Sequence, residues 1–130
     1  MQGLLRRVRA DRGSAVIEFA LVVPLVLVVA LGVLQVTLAL HVRSTLTAAA
    51  AEGARAGALA HSGSGVAERR TREVLANALG GEAVESVRAD MSRIDGVPVV
   101  RVSITARVPI IGLSGPASMT VEGHAMAEQP

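Results

Sequence analysis

Residues 12–40 read RGSAVIEFALVVPLVLVVALGVLQVTLAL. From Phe19 to Leu40 no residue is charged, and only Gln35 and Thr37 are notably polar. As a helix, about 22 residues span about 33 Å, enough for a hydrocarbon core of about 30 Å. A buried core helix is a poor alternative, because so long a run is hard to enclose in a chain of 130 residues. The flank sets the orientation. Residues 1–13 carry Arg6, Arg7, Arg9 and Arg12 against Asp11. A basic stub before an apolar helix keeps the N-terminus cytoplasmic, and the chain beyond Leu40 then lies across the membrane. The expected division is a basic leader at 1–13, a transmembrane helix at 14–41 and an extracytoplasmic αβ domain at 42–130.

A cleavable secretory signal is the stronger rival. It has the same basic start, and small residues follow at Ala48, Ala49, Ala50 and Ala51. Two features oppose it. The apolar run exceeds the roughly 7 to 15 residues of a signal core. Glu18 also stands at its start, where a signal peptide normally has no acid.

Composition excludes several functions. Hydrophobic residues make up 51% of the chain, yet Phe19 is its single aromatic and there is no Cys. One aromatic cannot build the stacking platforms of single-stranded nucleic-acid binders. Without Cys there is no disulfide framework, thiolate metal site or thiol nucleophile. The net charge of +2 belongs to the N-terminal stub, since nine Arg face ten acids from Ser14 onward. No basic patch remains to argue for nucleic acid. His41, His61 and His124 are scattered without ligand spacing. There is no Gly-x-Ser-x-Gly elbow, and the Gly/Ser stretches at 63–65 and 112–115 lack the Lys of a phosphate loop. Neither an enzyme nor a cofactor is expected.

Glu18 is the most informative residue. A carboxylate at the edge of a bilayer core costs a few kcal/mol unless it is paired or near the headgroups. Its setting is Gly13-Ser14-Ala15-Val16-Ile17-Glu18-Phe19. A Gly followed five residues later by Glu, opening a hydrophobic helix after a basic leader, resembles a type IV prepilin processing site. The resemblance implies that a membrane aspartic peptidase on the cytoplasmic side cuts after Gly13 and makes Ser14 the first mature residue. Gly lets an extended backbone enter a narrow cleft. In a filament, Glu18 of one subunit could neutralise the new amine of a neighbour, which offsets the cost of burying both charges.

The longer stretch from Arg12 to Leu25, with Leu31-Gly32-Val33-Leu34, resembles the TadE-like family of minor pilins or pseudopilins of the tight-adherence (Flp) pilus. The likeness continues more weakly through Ala51-Glu52-Gly53-Ala54-Arg55-Ala56-Gly57. It implies a prepilin peptidase, other pilins and an assembly platform as partners, membrane lipid around the helix, and an inner-membrane location. Two departures bear on which pilin role the chain plays. Gln35 stands where members often have an acid, and Phe19 where related major pilins usually have Tyr.

Pro24 removes one helical hydrogen bond. Two readings stay open: a harmless kink, or local flexibility when the subunit leaves the bilayer. Gly32 is a weak candidate for helix packing.

Beyond the membrane, Val42 to Ala60 continues as an Ala-rich helix. Ala49, Gly53 and Gly57 recur every four residues, a narrow face that could admit another helix or pack on this chain's own sheet. Ser62-Gly63-Ser64-Gly65 breaks the helix, and Val66 to Leu79 reads as a second one ended by Gly80-Gly81. Glu68 with Arg72, and Arg69 with Glu73, are i, i+4 pairs expected on a solvated face. The period then changes to two. Val87, Ala89 and Met91 alternate with Ser86, Arg88 and Asp90. Val100, Val102, Ile104, Ala106 and Val108 alternate with polar residues, as do Met119, Val121, Gly123, Ala125 and Ala127. Asp95-Gly96 signals a tight turn. Pro109 to Pro116 reads as a loop whose Ile110, Ile111 and Leu113 either plug the core or meet a neighbour. The expected fold class is α+β and pilin-like: a long N-terminal helix, a short second helix and a three-stranded antiparallel sheet.

Overall fold

The computed structural model describes residues 2–59, 62–108 and 117–128, with side chains from Asp11 onward. Helix α1 runs over Gln2–Ala58 and α2 over Ser64–Leu79. A short 3-10 turn at Gly81–Ala83 leads into strands β1 (Val84–Ile94), β2 (Val97–Val108) and β3 (Ala117–Met126). The sheet is an antiparallel meander in the order β1-β2-β3. The α+β architecture expected from the sequence is therefore present. The element limits shift slightly: α1 stops at Ala58, and α2 starts two residues early, at Ser64. The loop at 109–116 and His61 lie outside the described residues.

The chain divides into two units, Met1–Thr37 and Leu38–Pro130. The first is helix alone. α1 passes through Pro24 without interruption. In its apolar stretch the side chains are exposed on every side, with Leu25 at 63% and Val28 at 67%. A helix that is hydrophobic all round belongs in a core or in lipid, and among the described residues its most apolar stretch is not buried.

The second unit is built on a one-sided helix. Residues Val42, Leu46, Ala49, Ala50, Ala54 and Ala58 of α1 are buried. They pack with Ala67 and Leu75 of α2 and with Val87, Val100, Val102, Ile104, Ala106 and Val121 of the sheet. Period-two alternation gives the sheet one apolar face for the helices and one outer face. The hairpin between β1 and β2 closes with Asp95 (φ 50°) and Gly96 (φ 81°) between the paired Ile94 and Val97. Positive φ at both central residues is the type I′ turn, whose twist matches that of the strands.

Helix backbones approach closely. A Cβ on Gly53 would fall on Thr71 Oγ1 and within 2.8 Å of the Ala67 carbonyl. One on Gly57 would lie 2.7 Å from Ala67 Cβ and 3.3 Å from Val100 Cγ1. One on Gly123 of β3 would lie 2.6 Å from the Ala50 carbonyl carbon. Thr71, wholly buried at the crossing, donates its hydroxyl to Ala67 O at 2.8 Å, so no polar atom is stranded there.

Gly53→Ala should therefore cost about 1–3 kcal/mol through overpacking. Gly32→Ala, which meets nothing within 4 Å, should leave stability unchanged or raise it slightly through helix propensity. Urea unfolding of the full chain in detergent compares the two; equal effects would refute the tight crossing.

Candidate functional site

The membrane-entry segment is assembled on one helix. Gly13, Ser14, Glu18, Phe19 and Pro24 all lie within α1. All five are exposed, with Phe19 at 71%. Ser14 Oγ reaches Glu18 Oε1 at 3.5 Å across one helical turn. Gly13 meets nothing within 4 Å beyond its own helix. It is helical here, not extended as a peptidase cleft would require. The most apolar stretch of α1 has a mean hydropathy of 2.8 and none of it is buried, so among the described residues there is one helix long and apolar enough to cross a membrane. Within that stretch Thr37 donates to Val33 O at 2.8 Å, so its hydroxyl is satisfied without water.

The small-residue face lies in the second unit. Ala49 is buried in the core, while Gly53 and Gly57 face Ala67 and Thr71 of α2. That face is occupied by this chain's own second helix.

The charges of α2 require a correction. The expected Glu68–Arg72 and Arg69–Glu73 pairs are absent. Arg70 instead bridges Glu52 of α1 and Glu73, each at 3.2 Å. These bonds, that to Glu52 first, raise the Arg70 pKa. Glu68 Oε1 accepts from the Ala89 amide at 3.0 Å, and Arg72 Nη2 donates to Val87 O at 3.3 Å. Both bonds go to the outer edge of β1. Spacing along one helix says which side chains are neighbours, but not that a strand edge lies nearer than either.

On the outer sheet face Arg101 grips Asp90 with two bonds, at 2.8 and 3.2 Å. Arg107 meets Glu85 at 3.0 Å, and Thr105 and Thr120 share a hydrogen bond at 3.1 Å. These are cross-strand neighbours that fix register. Among the described residues no group of three His, Asp or Glu could hold a metal.

Comparison with known proteins locates the likeness on this same segment. Residues 13–55 match the family described as TadE-like protein. Over these residues the chain is similar to that family. The match begins at Gly13 and ends at Arg55, so it covers the exposed apolar helix and the buried turns of α1 that follow. No curated protein and no solved structure matches the chain. The α2 and sheet region thus lies outside the TadE-like match.

The Arg101 hydrogen bonds hold the Asp90 carboxyl below its ordinary value of 3.8, and the Arg101 and His124 charges act in the same direction. A depressed carboxyl stabilises the fold above its unfolded pKa, and that contribution is lost as pH falls through the lower folded value. Asp90→Asn should therefore lower the urea midpoint at neutral pH by a small amount. The two proteins should converge as the pH falls through the depressed Asp90 value. A gap that persists in acid would assign the effect to packing.

Proposed function

We infer that the chain is a TadE-like minor pilin or pseudopilin, made with a leader that is cut after Gly13 and anchored in the cytoplasmic membrane by α1. The observation that carries this reading is the register of the family match: it opens on Gly13, with Ser14 and Glu18 one turn apart on a bare apolar helix. The chain acts as a substrate and building block. Its partners are a prepilin peptidase, other pilins and the assembly platform, with lipid around Phe19 to Leu40.

The chemistry is coherent. Cutting after Gly13 frees an amine on Ser14 at the start of a helix. Glu18 then sits in the second turn, where a carboxylate opposes both the amine and the positive end of the helix dipole. The pairing is available within the subunit and to a neighbour's amine in a filament. Access to the bond requires α1 to open locally. Gly lowers the cost, being about 1 kcal/mol less favourable in a helix than Ala.

The rival of a cleaved secretory signal carries a structural cost. A cut near Ala51 would remove Val42, Leu46, Ala49 and Ala50, all buried in the core of the second unit. Losing one such Leu costs about 2–5 kcal/mol, a large share of a small domain's stability. The other reading, a signal-anchored protein with an extracytoplasmic binding domain, keeps this helix and differs only in leaving the leader uncut.

Intact mass and N-terminal sequencing of the native membrane-fraction protein separate the three. The expected start is Ser14, with the apolar helix retained. A start at Met1 would favour the signal anchor, and one near Ala51 in the soluble fraction the secreted form. Gly13→Leu should leave an uncut precursor. Glu18→Ala should still be cut but should lower assembly; normal piliation with that variant would remove the charge-pairing argument.

A further inference from the structure

The two edges of the sheet differ in a way that the pilin reading does not require. Ala127 N donates to Pro98 O at 2.9 Å, one step beyond the paired Val99 and Met126. Backbone pairing alternates along an antiparallel ladder. The odd-numbered residues of β3 therefore bond to β2. The backbone N–H and C=O of Ser118, Thr120, Glu122, His124 and Met126 point away from it. Among the described residues nothing pairs with them. The same parity on β1 turns Val87 O and Ala89 N outward, and there Arg72 and Glu68 of α2 occupy them. One edge is held by charged side chains at Val87 and Ala89, while among the described residues nothing holds the other along its strand. Natural sheets normally blunt such an edge. β3 has no Pro and no Lys.

A hollow of about 520 Å³ adjoins the C-terminal end of this open edge. Ile94, Val97, Val99 and Met126 line it on one side, and His124 and Arg55 add polar groups. Arg55 is exposed and has no ion pair among the described residues. Asp95 lies at the rim beside the turn. A second hollow, of about 290 Å³, shares Arg55, Ala125 and Met126 and is also lined by Glu128.

We propose that the β3 edge is a strand-addition site for an extended segment of a different protein, with a carboxylate side chain opposite Arg55. A second copy of this chain does not fit. The Ala50 backbone lies directly over Gly123. Pairing two β3 strands about that glycine would set two α1 helices over strands about 4.8 Å apart. Packed helices need about 8–10 Å. Nor can a second copy offer its β1 edge at Val87 and Ala89, because α2 holds it. Backbone bonds to the even-numbered β3 residues would supply the attachment. Arg55 and the apolar hollow would select the side chains. The site lies in the second unit and holds whether or not the leader is cut.

The test uses the full chain in lipid nanodiscs and an eight-residue synthetic peptide of alternating Thr and Val with one central Glu. The expected result is saturable binding that slows amide exchange at Thr120, Glu122 and His124 at least tenfold, with little change at Val121 and Gly123. Replacing the peptide Glu by Gln, or Arg55 by Gln, should weaken binding about five- to tenfold. Methylating alternate peptide amides on the bonding side should abolish it. Thr120→Pro removes an outward N–H and spares the β2 ladder, so it should block binding without a large shift in melting temperature. Equal binding of the methylated peptide, or absence of protection at the even-numbered amides, overturns the proposal. The methylated peptide on the unaltered protein decides the matter if Thr120→Pro does not fold.

Discussion

The second unit depends on how closely the α1 backbone can approach its neighbours. With one aromatic in the chain, at Phe19 in the apolar helix, the core has no large rings to fill space. Its largest fully buried side chains are Leu46, Leu75 and Ile104. Interiors pack to a nearly fixed density, so small side chains require short distances between elements. Gly53 and Gly57 let α2 lie on α1, and Gly123 lets β3 lie under Ala50. The small-residue face that would suit a helix pair in lipid is here spent within one subunit.

α1 changes character along its length. Over its apolar stretch it has no preferred side, as a helix surrounded by lipid tails should. From Val42 the buried positions fall at 42, 46, 49, 50, 53, 54, 57 and 58, the spacing of a single core-facing stripe. The change needs no break in the helix and no Pro or Gly hinge. It is made by composition alone, where Arg43 and Ser44 reintroduce polar side chains. The TadE-like match covers both the apolar stretch and the buried positions up to Arg55.

Much of this was legible in the sequence because it rests on period. The change from all-round apolar to three-four spacing to alternation marked the span, the helices and the strands. Asp95-Gly96 located the hairpin without help from any contact. The charges of α2 were not legible in the same way. Glu68, Arg69, Arg70, Arg72 and Glu73 satisfy several pairings by spacing, and the winner depends on what the fold brings alongside. Glu52 lies 18 residues before Arg70, and Ala89 lies 21 after Glu68. No local rule reaches so far. Gly13 illustrates a different limit. Its spacing to Glu18 identifies a candidate cleavage point, whereas its place inside a helix shows only in the fold.

The two sheet edges follow from this long-range placement. α2 can lie over only one side of a three-stranded sheet. The helix starts after the break near Gly63 and returns to the sheet through Gly80 and Gly81, which lead directly into β1. Short connections keep successive elements adjacent, so α2 lies beside β1, and its Glu68 and Arg72 find that strand's edge. Among the described residues, no side chain caps the outward backbone of β3 in the same way. Its last residues turn to Ala58, where Glu128 N donates to the carbonyl at 2.7 Å. That bond ties the C-terminal end of the strand to α1 but leaves the edge itself uncovered. The order of elements thus places α2 against the β1 edge at Val87 and Ala89, and among the described residues no counterpart lies against β3.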